Sequence, residues 1–318
     1  MPDPHVGALA SCISRVRFPK GATLFAEGER SQEAYLVDTG KIRIQRKTPY
    51  GLYTLADLGD GELFGENSFI DGSARTGEAL VIADSVLMPI NPVAINTLTD
   101  RDRAFTISLY WAFWKSLANK LRNTNESLAN FFQQGAAQQP SAESDDAARG
   151  GPIRVDMSTK RDLFREQKLS QMEINFLSTL SKEQRVAANE VIFREGDPGD
   201  RMYIILEGQV MISKQIVGAG EEALAVLGRG DYFGEMALID HEPRSAYAKA
   251  HDEGAVVLSI SRDVLENILH IDKQSSSLRL LRLLCNLVAK RLREVDDKLI
   301  GWYIFAAGSG ESLELPNG

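Results

Sequence analysis

The sequence predicts a mainly β chain with helices, built as two tandem copies of one small barrel or jelly roll, each followed by a long helix. Three observations carry that expectation. The 318 residues repeat themselves at a nearly constant offset. Short apolar and β-branched runs punctuated by glycine recur within each copy. A proline-free stretch with apolar residues at helical spacing closes each copy.

The repeat is read first, because it organises everything else. FPKGATLFAEGERSQEAYLVDTGKIRI carries Phe25, Glu27, Gly28, Tyr35 and Gly40, and VAANEVIFREGDPGDRMYIILEGQVMI repeats them 168 positions later as Phe193, Glu195, Gly196, Tyr203 and Gly208. Downstream, FGENSFIDGSARTGEAL and FGEMALIDHEPRSAYAKA share Phe-Gly-Glu at an offset of 169, a one-residue loop difference. Each keeps an arginine nine residues after its glutamate: Glu66 with Arg75, and Glu235 with Arg244.

Runs such as Tyr203 to Leu206 and Val210 to Ile212, on either side of Gly208, read as strands. Several of them at close spacing imply a barrel or jelly roll. Between Phe105 and Phe132, Leu109, Phe113, Leu117, Leu121 and Leu128 mark one helical face; between Leu278 and Leu299, Leu281, Leu284, Val288, Leu292 and Val295 mark another. Such faces pack on their own barrels or pair between subunits, so a homodimer through these helices is one expectation. QQGAAQQPSAESDDAARGGP, with almost no large apolar residue, reads as a flexible linker. The expected domains are therefore residues 1–133 and 154–305, joined by a linker at 134–153 and followed by a disordered tail at 306–318.

Composition bounds the function. The chain is 43% hydrophobic and 25% charged, ordinary for globular protein, and its formal net charge of −8 works against broad binding to nucleic acid or anionic membrane. Cys12 and Cys285 are far apart, with no Cys or His near them at metal-ligand spacing, so neither a disulfide framework nor a zinc site is indicated. The N-terminus lacks a signal-peptide pattern, and no apolar run approaches the roughly 18 residues of a membrane span. A cytoplasmic location without membrane insertion is expected. None of the four histidines belongs to a nucleophile or metal arrangement, so the chain is not expected to be an enzyme.

The second cassette, residues 233 to 250, has residues suited to a cyclic sugar phosphate. Gly234 lets backbone approach closely, and Glu235 to Ile239 can form a helical turn with free N–H groups. Arg244 offers a permanent charge and a planar fork of donors for two phosphate oxygens. Glu235, acceptor-only when ionised, suits a ribose 2′-hydroxyl. Any one of these residues alone reads as a turn or a surface ion pair; their joint spacing is what is specific.

In these residues the chain resembles the cyclic nucleotide-binding domain family, which includes kinase regulatory subunits, cyclic nucleotide-gated channels and catabolite activator-type receptors. The resemblance spans about residues 15 to 133 and 160 to 303. It implies an eight-stranded β-roll with flanking helices in each copy. It also implies that Phe233, Gly234, Glu235, Met236, Ala237, Arg244, Ser245 and Ala246 line the ligand site of the second copy. Phe64, Gly65, Glu66, Asn67, Ser68, Arg75, Thr76 and Gly77 are the matching positions of the first. That copy departs from the family pattern at Asn67 and Ser68, at Ala74 where proline is usual and at Gly77 where alanine is usual, which leaves its ligand open. Ser245 after the arginine implies cAMP for the second copy, with cGMP the alternative, while Thr76 resembles the residue of several cGMP-preferring sites. In relatives an aromatic from the following helix often caps the base. Trp302 or Tyr303, and Trp111 or Trp114, are the candidates here, and core or interface roles suit them as well.

The expected function is a non-catalytic receptor that takes part in signal transduction by passing an allosteric change to a protein partner or between subunits. No further cofactor is implied. Only 18 residues follow Ile300, too few for a helix-turn-helix, so direct DNA binding is not expected. Two alternatives use the same features: a scaffold with vestigial pockets, and a transcription-related regulator acting through a partner.

Overall fold

The computed structural model describes residues 3–135, 181–216, 220–271 and 276–309. All but the first two residues of the expected linker, and the tail from residue 310, lie outside them. The chain divides into two compact units: Met1–Thr124 with Arg282–Gly318, and Asn125–Leu281.

In the first unit, β1 (Val16–Phe18), β2 (Thr23–Phe25), β3 (Ala34–Thr48), β4 (Gly51–Leu58), β5 (Leu63–Phe64) and β6 (Glu78–Ile90) form an antiparallel sheet ordered β1-β6-β3-β4, with β2 on β6 and β5 on β3. α1 (Asp3–Cys12), α2 (Glu66–Asp71), α3 (Pro92–Arg101) and α4 (Arg103–Gly135) accompany it. Alternate residues of the strands point inward, and Phe25, Val37, Ile42, Leu58, Phe64, Ala79, Val81 and Leu87 make a dry core. A second cluster, including Leu9, Ile90, Ile95, Phe105, Leu109 and Phe113, packs the helices against the sheet.

The second unit repeats the plan. β7 (Lys182–Val186), β8 (Val191–Phe193), β9 (Arg201–Ile216), β10 (Gly220–Leu227), β11 (Tyr232–Phe233) and β12 (Tyr247–Ser261) follow the matching order β10-β9-β12-β7, with β11 on β9 and β8 on β12. α5 (Met236–Asp240) and α6 (Arg262–Ile271) complete it.

β3 and β6 each bend through register shifts between Val37 and Ile42 and their partners, so each serves as two segments of the roll. The expected eight segments thus appear as six continuous strands. The bend depends on glycine. Gly40 has φ of 116°, and a Cβ there would lie 2.1 Å from Ser85 Oγ; at the matching Gly208, φ is 75° and a Cβ would lie 2.1 Å from the Gly254 carbonyl oxygen.

The last helix, α7 (Ser276–Ser309), carries the second apolar face. Leu281, Leu284, Val288, Leu292 and Val295 are buried, as are Leu109, Phe113, Leu117, Leu121 and Leu128 of α4. Both faces are covered within the single chain. α7 also runs through Ala306, which is buried, past the point where the tail is expected to begin. From Arg282 on, α7 belongs to the first unit: the Cys285 thiol donates to the Tyr110 carbonyl at 3.4 Å, and the Arg282 guanidinium lies 4.9 Å from the centroid of the Tyr110 ring.

Candidate functional site

The two cassettes are built alike from the chain upward. β5 ends at Phe64 and Gly65 turns with φ of 76° into α2; β11 ends at Phe233 and Gly234 turns with φ of 75° towards α5. A Cβ at Gly65 would fall 2.7 Å from Arg75 Nη1, and one at Gly234 would fall 2.6 Å from Arg244 Nη1. Glycine therefore supplies both the left-handed turn and the space for the guanidinium. Gly234→Ala is expected to displace Arg244 and to weaken ligand binding by about tenfold or more, seen by calorimetry.

Each arginine is held from below by an aromatic triangle. Arg75 Cζ lies 4.0 Å from the Phe25 centroid, and Arg244 Cζ lies 4.2 Å from that of Phe193. Tyr35 stacks on Phe64 at 5.0 Å, and Tyr203 stacks on Phe233 at 5.0 Å. Arg75 donates from Nη1 to the Gly65 carbonyl at 3.0 Å and from Nη2 to the Glu33 carbonyl at 2.6 Å. Arg244 donates from Nη1 to the Gly234 carbonyl and from Nη2 to the Arg201 carbonyl, both at 2.7 Å. Burial lowers both guanidinium pKa values, against the pull of Tyr35 and Glu33 on Arg75 and of Tyr203 and Glu235 on Arg244, yet an arginine so placed keeps its charge. The repeat in the sequence marks Phe25, Phe193, Tyr35 and Tyr203, but nothing local reveals them as the floor beneath the arginine.

The copies differ at one donor. Arg75 Nε donates to Ser31 Oγ at 3.0 Å. The matching position in the second copy is Gly199, where a Cβ would collide with Ala237 Cβ at 2.2 Å. Arg244, only 5% exposed, consequently has a buried Nε with no partner among the described residues.

Glu66 is 2% exposed, and its Oε1 accepts from Ser116 Oγ at 2.9 Å and Lys120 Nζ at 2.5 Å, both on α4. Neither partner was foreseeable from the repeat, since α4 reads from the sequence only as an apolar face. In the second copy Glu235 and Ala237 are buried, and α5 is tied down by Arg262, which donates from Nη2 to the Gly199 carbonyl at 2.9 Å and to the Ala237 carbonyl, and from Nε to the Leu238 carbonyl at 3.2 Å. Ser245 is half-buried and Ala246 buried. Arg262→Ala is expected to free these carbonyls, speed amide exchange across residues 235–240, and weaken ligand binding about three- to thirtyfold.

All eight expected residues of the first copy meet in one cavity of about 530 Å³. Trp111 lines it, whereas Trp114 is fully buried core. Gly77 is explained by crowding, because a Cβ there would stand 2.9 Å from the Gln45 carbonyl oxygen. Asn67 Oδ1 is buried without a partner among the described residues. The Tyr303 ring lies 4.8 Å from that of Tyr53 of β4, within the first unit.

Two further lining residues come from α7, Leu292 and Asp296. Asp296 accepts from Thr124 Oγ1 at 3.1 Å. Burial pushes its carboxyl up to about 7, with Asp297 adding to the rise and Thr124, Arg46 and Lys120 opposing it; Tyr53 faces it from β4. Because the folded value exceeds the ordinary one of about 4, the associated stability is complete below about pH 4 and is lost as pH rises through about 7. The melting temperature should therefore fall between pH 5 and pH 8, and Asp296→Asn should flatten that part of the profile.

Among the described residues no cluster of three or more His, Cys, Asp or Glu is placed to hold a metal, and no helix is long and apolar enough to cross a membrane. The model of the cyclic nucleotide-binding domain matches residues 15–102 and 183–272, one match over each cassette. The chain belongs to the cyclic nucleotide-binding domain family. Among relatives, a cGMP-dependent protein kinase of Caenorhabditis elegans is 23% identical over 80% of this chain and 26% of its own length. A CRP-like cAMP-activated global transcriptional regulator of Mycobacterium tuberculosis is 38% identical over 34% of this chain and 46% of its own. The chain thus spans less than half the length of these curated relatives. Among solved structures, a cyclic nucleotide-binding domain from Methylobacillus flagellatus is 28% identical over 51% of this chain and 86% of its own, with a TM-score of 0.42. The regulatory domain of Toxoplasma gondii PKA with cAMP is 18% identical, covers 88% of each chain and has a TM-score of 0.31. Two tandem cyclic nucleotide-binding domains, mainly β with helices, account for both sheets described above.

Proposed function

We propose that the chain is a non-catalytic cytoplasmic receptor whose second domain binds cAMP, with Arg244 and Glu235 as its principal contacts, and relays the event to a protein partner. One observation carries the choice of site: the orphaned Arg244 Nε. A buried donor without an acceptor is costly by roughly 1–3 kcal/mol, and a phosphate oxygen relieves that cost while meeting the charge. In the first domain the Ser31 hydroxyl already meets the same donor.

The preference for cAMP rests on Ser245 beside the arginine, and is in keeping with the name of the cAMP-activated relative. Met236, Ala237, Ser245 and Ala246 would line the rest of the second site. Allosteric output requires the ligand to favour one arrangement of the flanking helices over another, typically by about 1–3 kcal/mol. Titration of the full chain with cAMP and with cGMP by calorimetry tests the proposal. Tighter binding of cAMP is expected; no heat from either at millimolar concentration would leave the scaffold reading in its place.

A further inference from the structure

We propose that α7 is a releasable latch over the first domain's pocket, and that a cyclic nucleotide enters there when Arg293 lets go of the cassette. The inference rests on the family cassette of the first domain having kept a nucleotide-sized pocket. Its new element is that the helix following the second barrel in sequence forms a wall of the first domain's site.

Successive turns of α7 supply the parts. Leu292 and Asp296 line the cavity. Arg293 donates to Asp71 Oδ2 and, at 2.8 Å, to Ser73 Oγ. Asp297 accepts from Arg46 on β3 at 2.5 Å, and Asp296 is tied to Thr124 of α4 at 3.1 Å. The spacing 292, 293, 296, 297 places all four on adjacent strips of one helix surface.

The position of the clamp matters more than its strength. Asp71 ends α2 and Ser73 lies two residues before Arg75, so Arg293 grips the loop that carries the first domain's phosphate-binding candidate. Burial of Asp71 opposes its ionisation, but the Ser73 N–H and hydroxyl and the Arg293 guanidinium outweigh it and hold the carboxyl below its usual range. The clamp is therefore charged and closed at neutral pH. Its ion pairs are only partly buried, with side-chain exposures of 22% and 22% for Arg293–Asp71, and of 22% and 63% for Arg46–Asp297. Contacts of that kind add little to a helix whose apolar face is buried, so Arg293 releases the loop while α7 stays docked. The cavity behind it, about 530 Å³, is in the size range of small-molecule sites. A ligand that draws the Arg75 loop towards its phosphate competes with Arg293 for the same segment, so latch and ligand oppose each other reciprocally.

The test uses the full chain with Arg244→Ala to silence the second site, and follows association of a fluorescent cAMP analogue by stopped flow. Adding Arg293→Ala should raise the association rate about 1.5- to fivefold, the span of a partly exposed ion pair. Asp71→Arg should do the same from the other partner, and the swap Asp71→Arg with Arg293→Asp should restore slow entry. In the ligand-free chain, amide exchange of residues 66–76 should rise in both single variants and fall again in the swap, a readout that needs no nucleotide. Equal association rates with and without the clamp, or no uptake by the first site in any variant, would overturn the latch. Failure of the second site would show separately, as absent cAMP binding in an Arg75→Ala chain.

Discussion

Arg244→Ala is expected to weaken cAMP binding at the second site about a hundredfold or more, the loss of a charge-assisted, bidentate contact to phosphate. The geometry separates this effect from general damage. The guanidinium lies on the Phe193 ring, and its Nη1 and Nη2 donors are engaged by the Gly234 and Arg201 carbonyls, while Nε has no partner among the described residues. Alanine orphans two carbonyls and removes the stacking, so the melting temperature should fall as well, by an amount worth roughly 1–3 kcal/mol. Arg244→Lys decides between the two effects: it keeps the charge but has no fork and no Nε, so binding should remain poor while part of the stability returns. Calorimetry on both variants, compared with thermal melts, checks the prediction. Binding unchanged in Arg244→Ala would mean that the phosphate is held elsewhere.

The largest loss of stability is expected from Gly208→Ala, at about 2–4 kcal/mol. Two costs add. The residue has φ of 75°, which a side chain tolerates poorly, and its Cβ would meet the Gly254 carbonyl oxygen at 2.1 Å, backbone that cannot rotate away. Gly40→Ala, whose obstacle is the Ser85 side chain as well as backbone, should be damaging through the same bend. Urea denaturation of the full chain, with the second unit followed by amide exchange, measures the effect. A shift under about 0.5 kcal/mol would show that the bend relaxes.

Much of the fold is legible because the two copies check each other. Glycines at equal offset mark strand bends, and Phe25 and Tyr35 recur as Phe193 and Tyr203 because both triangles need the same three rings. The Phe-Gly-Glu turn and its arginine are equally visible, and in the first domain all eight expected residues do converge on one cavity. What is not legible is long-range. Ser31 and Gly199 align, but nothing nearby in the chain says that the hydroxyl of one meets an arginine 44 residues on. Lys120 reads as the solvated side of an amphipathic helix until Glu66 is found beneath it. Arg293, Asp296 and Asp297 read the same way, and their partners lie up to 251 positions away. Periodicity shows that α7 has a buried face; it carries no information about which barrel covers it.

The thiol of Cys285 is fully buried on α7, and burial drives its pKa far above the range in which it would react. Cys12, by contrast, is exposed. Once Cys12 is blocked, the rate at which an alkylating reagent modifies Cys285 reports the fraction of time for which that helix stands away from Tyr110. The protein thus carries a native chemical clock for helix departure, readable by mass spectrometry without a label or a ligand.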